Sequence, residues 1–141
     1  MNKPISALLL DTHIWIWLML GDSELKPELI ERIEQAARNS QLYISAISTW
    51  ELSMLVAKGR IQFKQDVLQW VQTALKLPGL QCLPLSVDVL VESSRLPGIC
   101  HGDPADRMLI ATARHHGFSL VTRDEKVLTY ASQGYLETLP A

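Results

Sequence analysis

Short apolar bursts alternate with segments of helical period along almost the whole chain, and this alternation most constrains the fold. The bursts are Ala7–Leu10, Leu42–Ser45, Leu80–Leu85 and Phe118–Thr122, with a weaker fifth at Tyr135–Leu139. Between them, Lys26-Pro27 opens a helical stripe of Leu29, Ile30, Ile33 and Ala37. Ser48–Lys58 closes at Gly59, Asp66–Leu77 at Pro78-Gly79, Ser86–Leu96 at Pro97-Gly98, and Pro104–His116 at Gly117. A short helix then runs through Tyr130. Ile14–Leu20 is apolar all round; it reads as helix because it follows a strand that ends at a carboxylate. Strands alternating with helices predict parallel βαβ units. The unbroken apolar bursts predict strands covered on both faces. The expectation is an α/β fold in one domain, residues 1–141.

The composition permits this and excludes alternatives. With 141 residues, 48% of them apolar, the chain can bury a core without disulfides or a structural metal. Thirteen Lys and Arg stand against 15 Asp and Glu, a net charge of −2. A broad positive field for nucleic acid is therefore excluded, although a local basic strip is not. The most apolar stretch, Ile5–Leu20, is broken by Asp11, Thr12 and His13 and is too short to cross a bilayer. It also lacks the cleavage site of a secretory signal. Cys82 and Cys100 read as free thiols, and a cytoplasmic location is expected.

In a parallel sheet, helices begin at the carboxyl ends of strands, where ligand sites gather. Four acids occupy such positions. Asp11 ends the first burst and Asp124 follows the fourth. Glu51 falls in the first turn of a helix in Ser48-Thr49-Trp50-Glu51, and Asp106 in the first turn of another in Asp103-Pro104-Ala105-Asp106. Each has an ordinary structural explanation. Ser48 and Glu51 have the spacing of a capping box. Asp103 suits an N-cap, Pro104 the first helical position, and Asp106 the helix dipole. Asp11 and Asp124 suit caps of the helices after them. Yet Asp106 shares a stripe with Leu109, Ile110 and Ala113, and Glu51 with Ile47, Leu55 and Lys58. A carboxylate on an apolar stripe points inward, where it is costly alone. Four such acids at one sheet edge are compatible when divalent cations hold them, and all-oxygen donors suit Mg2+ or Mn2+.

The order Leu-Leu-Leu-Asp11-Thr, Ser-Thr-Trp-Glu51, Asp103-Pro-Ala-Asp106-Arg-Met-Leu-Ile-Ala and Leu-Val-Thr122-Arg-Asp124 resembles the PIN domain, most of all the VapC-type toxins of prokaryotic toxin–antitoxin pairs. The resemblance covers essentially the whole chain, and the Asp-Pro-x-Asp-Arg stretch is its most specific part. It implies a three-layer α/β/α sandwich around a parallel sheet, metal-dependent endoribonuclease activity and a cognate antitoxin. It places Asp11, Glu51, Asp106 and Asp124 as the catalytic, metal-holding acids, with Mg2+ or Mn2+ as cofactor. Thr122 matches the hydroxyl residue two before the fourth acid.

Other residues carry plainer expectations. Asp103 reads as an N-cap, His101, His115 and His116 as surface or helix-end residues, and His13 as part of a core stretch. Lys58, Arg60, Arg107 and Arg123 are the cations near the expected groove, with Arg107 also placed to pair with Asp103. Trp50, Trp70 and Met54 read as core or interface rather than as a base-stacking platform, and Trp15 and Trp17 stand outside the motifs. Apolar surplus, notably Ile14–Leu20, points to a homodimer. An acidic site on a chain of net charge −2 favours single-stranded or looped RNA held by metal and a few cations. The competing readings are a phosphoacceptor receiver module and a PIN-fold adaptor without catalysis. A receiver is disfavoured by the single acid after the first strand and the absence of a Lys after the last.

Overall fold

The computed structural model describes residues 6–22 and 24–141; of the Ile5–Leu20 stretch, Ile5 lies outside them. The described residues form strands β1 (Leu8–Leu10), β2 (Leu42–Ser45), β3 (Leu80–Leu83), β4 (Ser119–Thr122) and β5 (Thr138–Pro140). Seven helices join them: α1 (Thr12–Leu20), α2 (Pro27–Arg38), α3 (Ala46–Ala57), α4 (Val67–Ala74), α5 (Val87–Ser94), α6 (Pro104–His116) and α7 (Glu125–Ala131). All strand pairs are parallel, in the order β3-β2-β1-β4-β5. Receiver modules order their strands 2-1-3-4-5, so the topology removes that reading.

The sheet separates two apolar clusters, as the period-2 alternation of a strand requires. Leu8 and Leu10 face one side, with Ile14, Trp15, Leu29, Ile33 and Leu52. Leu9 faces the other, with Leu109, Ile110, Val127 and Tyr130. These are the outer layers of an α/β/α sandwich. The strands of the middle are covered on both faces, and β1 is buried throughout. β3, at the edge, is not.

Three local features differ from the sequence expectation. Helix α3 starts at Ala46, because the Ser45 hydroxyl that closes β2 accepts from the Ile47 amide and caps it. Ser48 and Glu51 are therefore not a capping box, and Glu51 lies beyond the first turn. The fifth strand is Thr138–Pro140 rather than Tyr135–Leu139. Leu136 is consumed in packing and Tyr135 lies against Tyr130, so neither pairs. Ile14–Leu20 is helical as expected but is not spare surface: Ile14, Trp15 and Ile16 are buried. Of that stretch Leu20 is exposed, and further exposed apolar side chains are spread over α3 (Trp50, Met54), α4 (Leu68) and α5 and the loop after it (Val87, Leu90, Val91, Ile99). Among the described residues no helix is long and apolar enough to cross a membrane.

Tight connections keep the layers in place. Gly79, between α4 and β3, has φ +84° and packs on the backbone of Ala37, where an added Cβ would sit 2.0 Å from the carbonyl oxygen.

Candidate active site

β1 and β4 are adjacent, and an aspartate caps the helix after each: Asp11 directly follows β1, and Asp124 stands two residues beyond β4. The Asp11 carboxylate accepts from the Thr12 amide at 2.7 Å. Asp124 Oδ1 accepts from the amides of Lys126 and Val127. Capping and site-building thus coincide in both side chains. The Thr122 hydroxyl joins the strand ends: it donates to Asp11 Oδ2 at 2.7 Å and accepts from the Asp124 amide at 3.1 Å.

The other two acids enter from helices. Asp103 caps α6 by accepting from the Asp106 amide, and Pro104 follows at the first helical position. Asp106 then projects from the first turn. Glu51 projects from the middle of α3, where the Thr12 hydroxyl donates to its Oε1 at 2.5 Å. The Ser48 hydroxyl, 2.8 Å from that of Thr12, completes the α1–α3 link.

Asp11, Glu51, Asp106 and Asp124 line one cavity of about 390 Å3, with Asp103, His13, Trp17 and Arg123. A larger cavity of about 470 Å3 between α5 and α6 gathers none of these acids. Burial raises the carboxyls of Asp11, Glu51 and Asp106 above their usual values. Glu51 is pushed up to about 7 by burial, then by the nearby charges of Asp11, Asp106 and Asp103, against the pull of the Thr12 hydrogen bond. Asp106 is raised by burial and by Asp103, Asp11 and Asp124, while His101 pulls it down. Crowded carboxyls of this kind are a site that a cation relieves.

As the side chains stand, no three His, Cys, Asp or Glu among the described residues gather closely enough to hold a metal ion. The donor chemistry nonetheless fits a hard divalent cation. Asp11 spends both oxygens on Thr12 and Thr122, whereas Glu51 Oε2, Asp106 Oδ1 and Asp124 Oδ2 make no hydrogen bond with the described residues.

Several residues took places the sequence did not announce. His101 Nε2 lies 2.8 Å from Asp106 Oδ2, so the ring holds that carboxylate in orientation. Its loop is anchored by Arg107, which donates to the carbonyls of Ser93, Cys100 and His101 and does not pair with Asp103. Gln133 clamps the same loop through both backbone groups of Ile99. No periodic signal marks such a loop. His13 is exposed and lines the acidic cavity instead of the core. Trp17 lines the cavity too and stacks under the Arg123 guanidinium, 4.8 Å from the ring centre. Arg123 also pairs with Glu24. Trp70 is packed in the core, edge-on to Trp15, but Trp50 is 56% exposed.

The PIN domain family model matches residues 8–132. The chain is 32% identical over 126 residues to Ribonuclease VapC22 of Mycobacterium tuberculosis, covering 89% of this chain and 93% of that protein. A toxin–antitoxin complex from Klebsiella pneumoniae has a chain 26% identical, with a TM-score of 0.57, covering 86% of this chain and 89% of that one. VapBC2 from Rickettsia felis, solved bound to a promoter DNA fragment, has a chain 19% identical with a TM-score of 0.70, covering 94% of this chain and 97% of that one. The fold and the acids define a PIN-type protein. This chain belongs to the PIN-domain family.

Proposed function

We propose that this protein is a metal-dependent endoribonuclease that cleaves single-stranded or looped RNA and acts as the toxin of a toxin–antitoxin pair. One observation carries the reading. Four acids from four separate chain segments line a single cavity at the carboxyl ends of the parallel strands. The family and a relative named as a ribonuclease support it. Metal dependence is general among PIN-domain ribonucleases, and Mg2+ or Mn2+ matches the all-oxygen donor set. Asp11, Glu51, Asp106 and Asp124 are the residues proposed to hold it.

Asp11, Glu51, Asp106 and Asp124 would hold a divalent ion, which would supply activation of a water for in-line attack on the phosphodiester and charge neutralisation at the leaving oxygen. The chain's own residues prepare that chemistry. Thr122 and the Thr12 amide fix Asp11 as the rigid member of the set. Thr12 orients Glu51, His101 orients Asp106, and the first turn of α7 pins Asp124. Partial burial of the carboxyls excludes part of the solvent and strengthens their field. Water attack leaves a 5′-phosphate and a free 3′-hydroxyl.

The proposed partners are RNA, a second copy of the chain as a homodimer, and a cognate antitoxin. A segment of the antitoxin would lie over the acidic groove with an Arg or Lys in the place of the metal. The deciding experiment is cleavage of matched linear, hairpin and duplex RNAs by wild type and Asp11→Asn, with Mg2+ or Mn2+ and with EDTA. Loss of cleavage in the variant with its circular dichroism unchanged, and 5′-phosphate ends in wild type, are expected. Full metal-dependent activity in Asp11→Asn overturns the assignment.

A further inference from the structure

On α3, Trp50 and Met54, with Lys58 at the helix C-cap, recur at intervals of four and so lie in one line on the helix surface. Trp50 is 56% exposed and Met54 36%, and Lys58 and Arg60 are exposed beyond them. The neighbouring stripe of the same helix carries Glu51 into the acidic cavity. The line therefore starts beside the acids and ends at two cations, about 12 Å along the helix axis. A groove of about 370 Å3 runs along it, and Trp50, Met54, Lys58 and Arg60 line its length. His13, Glu51 and Asp103 line both this groove and the acidic cavity, so the two spaces adjoin. The Trp50 ring stacks on no other aromatic among the described residues. Trp70 and Trp15, by contrast, are both engaged.

A polyanion approaching this centre meets four acids on a chain of net charge −2. Its affinity has to come from elsewhere along the strand. Stacking of a base on an aromatic face is indifferent to the local negative field and to base identity. Phosphates become attractive again only where cations stand, which is the far end of this groove. A thioether beside the indole adds a soft, adaptable surface for a ring of any shape.

We propose that Trp50 is the base-stacking platform of an RNA subsite on α3, with Lys58 and Arg60 holding the phosphates of the nucleotides that lead away from the acidic centre. The proposal rests on the ribonuclease reading and names how the substrate is held. The occupant is single-stranded RNA: the apolar part of the strip, one indole and one thioether, matches one base. The acid-to-cation polarity matches a strand whose scissile phosphate is neutralised by metal and whose next phosphates are not.

The test uses an RNA oligonucleotide that the wild-type protein cuts at one position, together with a series in which each nucleotide in turn is abasic. One abasic position on one side of the cut should raise KM about 5- to 150-fold in wild type. Trp50→Ala should raise KM on the intact RNA by a similar factor and become indifferent to that abasic position. The loss should fall on KM more than on kcat, and Trp50→Phe should recover most of it. Lys58→Ala with Arg60→Ala should make the salt slope shallower by about 0.7 for each phosphate that the protein no longer neutralises. Identical abasic profiles for wild type and Trp50→Ala, or an unchanged KM, overturn the subsite. So does a Trp50→Ala protein that keeps its RNA affinity but escapes inhibition by an antitoxin, which would assign the strip to a protein partner. If wild type cuts no RNA at all, the ribonuclease reading is what has failed. Fluorescence anisotropy of a labelled single-stranded RNA and its abasic series in EDTA, comparing wild type with Trp50→Ala, then still decides the platform, and equal affinities of the two proteins overturn it.

Discussion

Replacing Glu51 with glutamine removes a charge from the most perturbed carboxyl while keeping an oxygen to accept the Thr12 hydroxyl hydrogen bond. In the folded protein this carboxyl retains its proton up to about pH 7, against 4.5 for an unperturbed glutamate. Between those values the folded state binds more protons than the unfolded one, so this group makes stability fall as pH rises. The whole displacement corresponds to about 3.4 kcal/mol. Partial exposure to water screens it, leaving about 1–2 kcal/mol. Glu51→Gln should therefore be more stable than wild type by about 1–2 kcal/mol at pH 8, with the gain vanishing as the pH approaches 4.5. Urea unfolding at pH 5 and pH 8 in EDTA measures this directly. Millimolar Mg2+ at pH 8 should narrow the gap, because an ion that binds only the folded wild type stabilises it by mass action. A variant no more stable than wild type at pH 8, or equally stabilised at both pH values, refutes the account of a crowded, desolvated acid.

Thr122→Val removes a buried hydroxyl that serves both Asp11 and the Asp124 amide. It should cost about 1–3 kcal/mol in thermal or urea unfolding and lower cleavage, and wild-type stability would show that the two strand ends are held by other means. His101→Ala leaves Asp106 without its ring partner and should weaken metal-dependent activity about 10- to 100-fold in an Mg2+ titration; an unchanged titration would remove the orienting role. Gly79→Ala must fit a Cβ against the Ala37 carbonyl at φ +84°. It should destabilise by about 2 kcal/mol or more, and a neutral effect in the same unfolding assay would disprove the tight packing of that turn on α2.

The fold was largely legible because its signals are local. Apolar bursts, Pro at the start of α2 and α6, and Gly after α6 lie within a few residues of the elements they delimit. Asp11, Asp106 and Asp124 were legible for the same reason, each standing where a strand or cap ends. Glu51 was placed on the right stripe with Leu55 but credited to the wrong turn. Ser45 and Ser48 are both plausible caps, and only the end of β2 selects Ser45. The partners of the acids were not legible. His101 reaches Asp106 because Arg107 and Gln133 hold its loop by the backbone, and backbone acceptors have no sequence signature. Trp50 and Trp70 look alike in sequence, yet Trp70 packs against Phe63 and Trp15 while Trp50 faces water.

The bond from Thr122 to Asp11 joins residues 111 positions apart, and that separation has a meaning during synthesis. At about 5–20 residues per second, the ribosome takes roughly 6–25 s to travel from the start of the chain to Asp124. Throughout that interval a growing chain can complete β1, α3 and even α6, yet Asp11 lacks the strand beside it and the fourth acid does not exist. A nascent chain therefore lacks the proposed four-acid site until residue 124 has been added. The proposed site comes into being only when β4 and Asp124 join β1, so its assembly waits on the pairing of segments far apart in the order of synthesis.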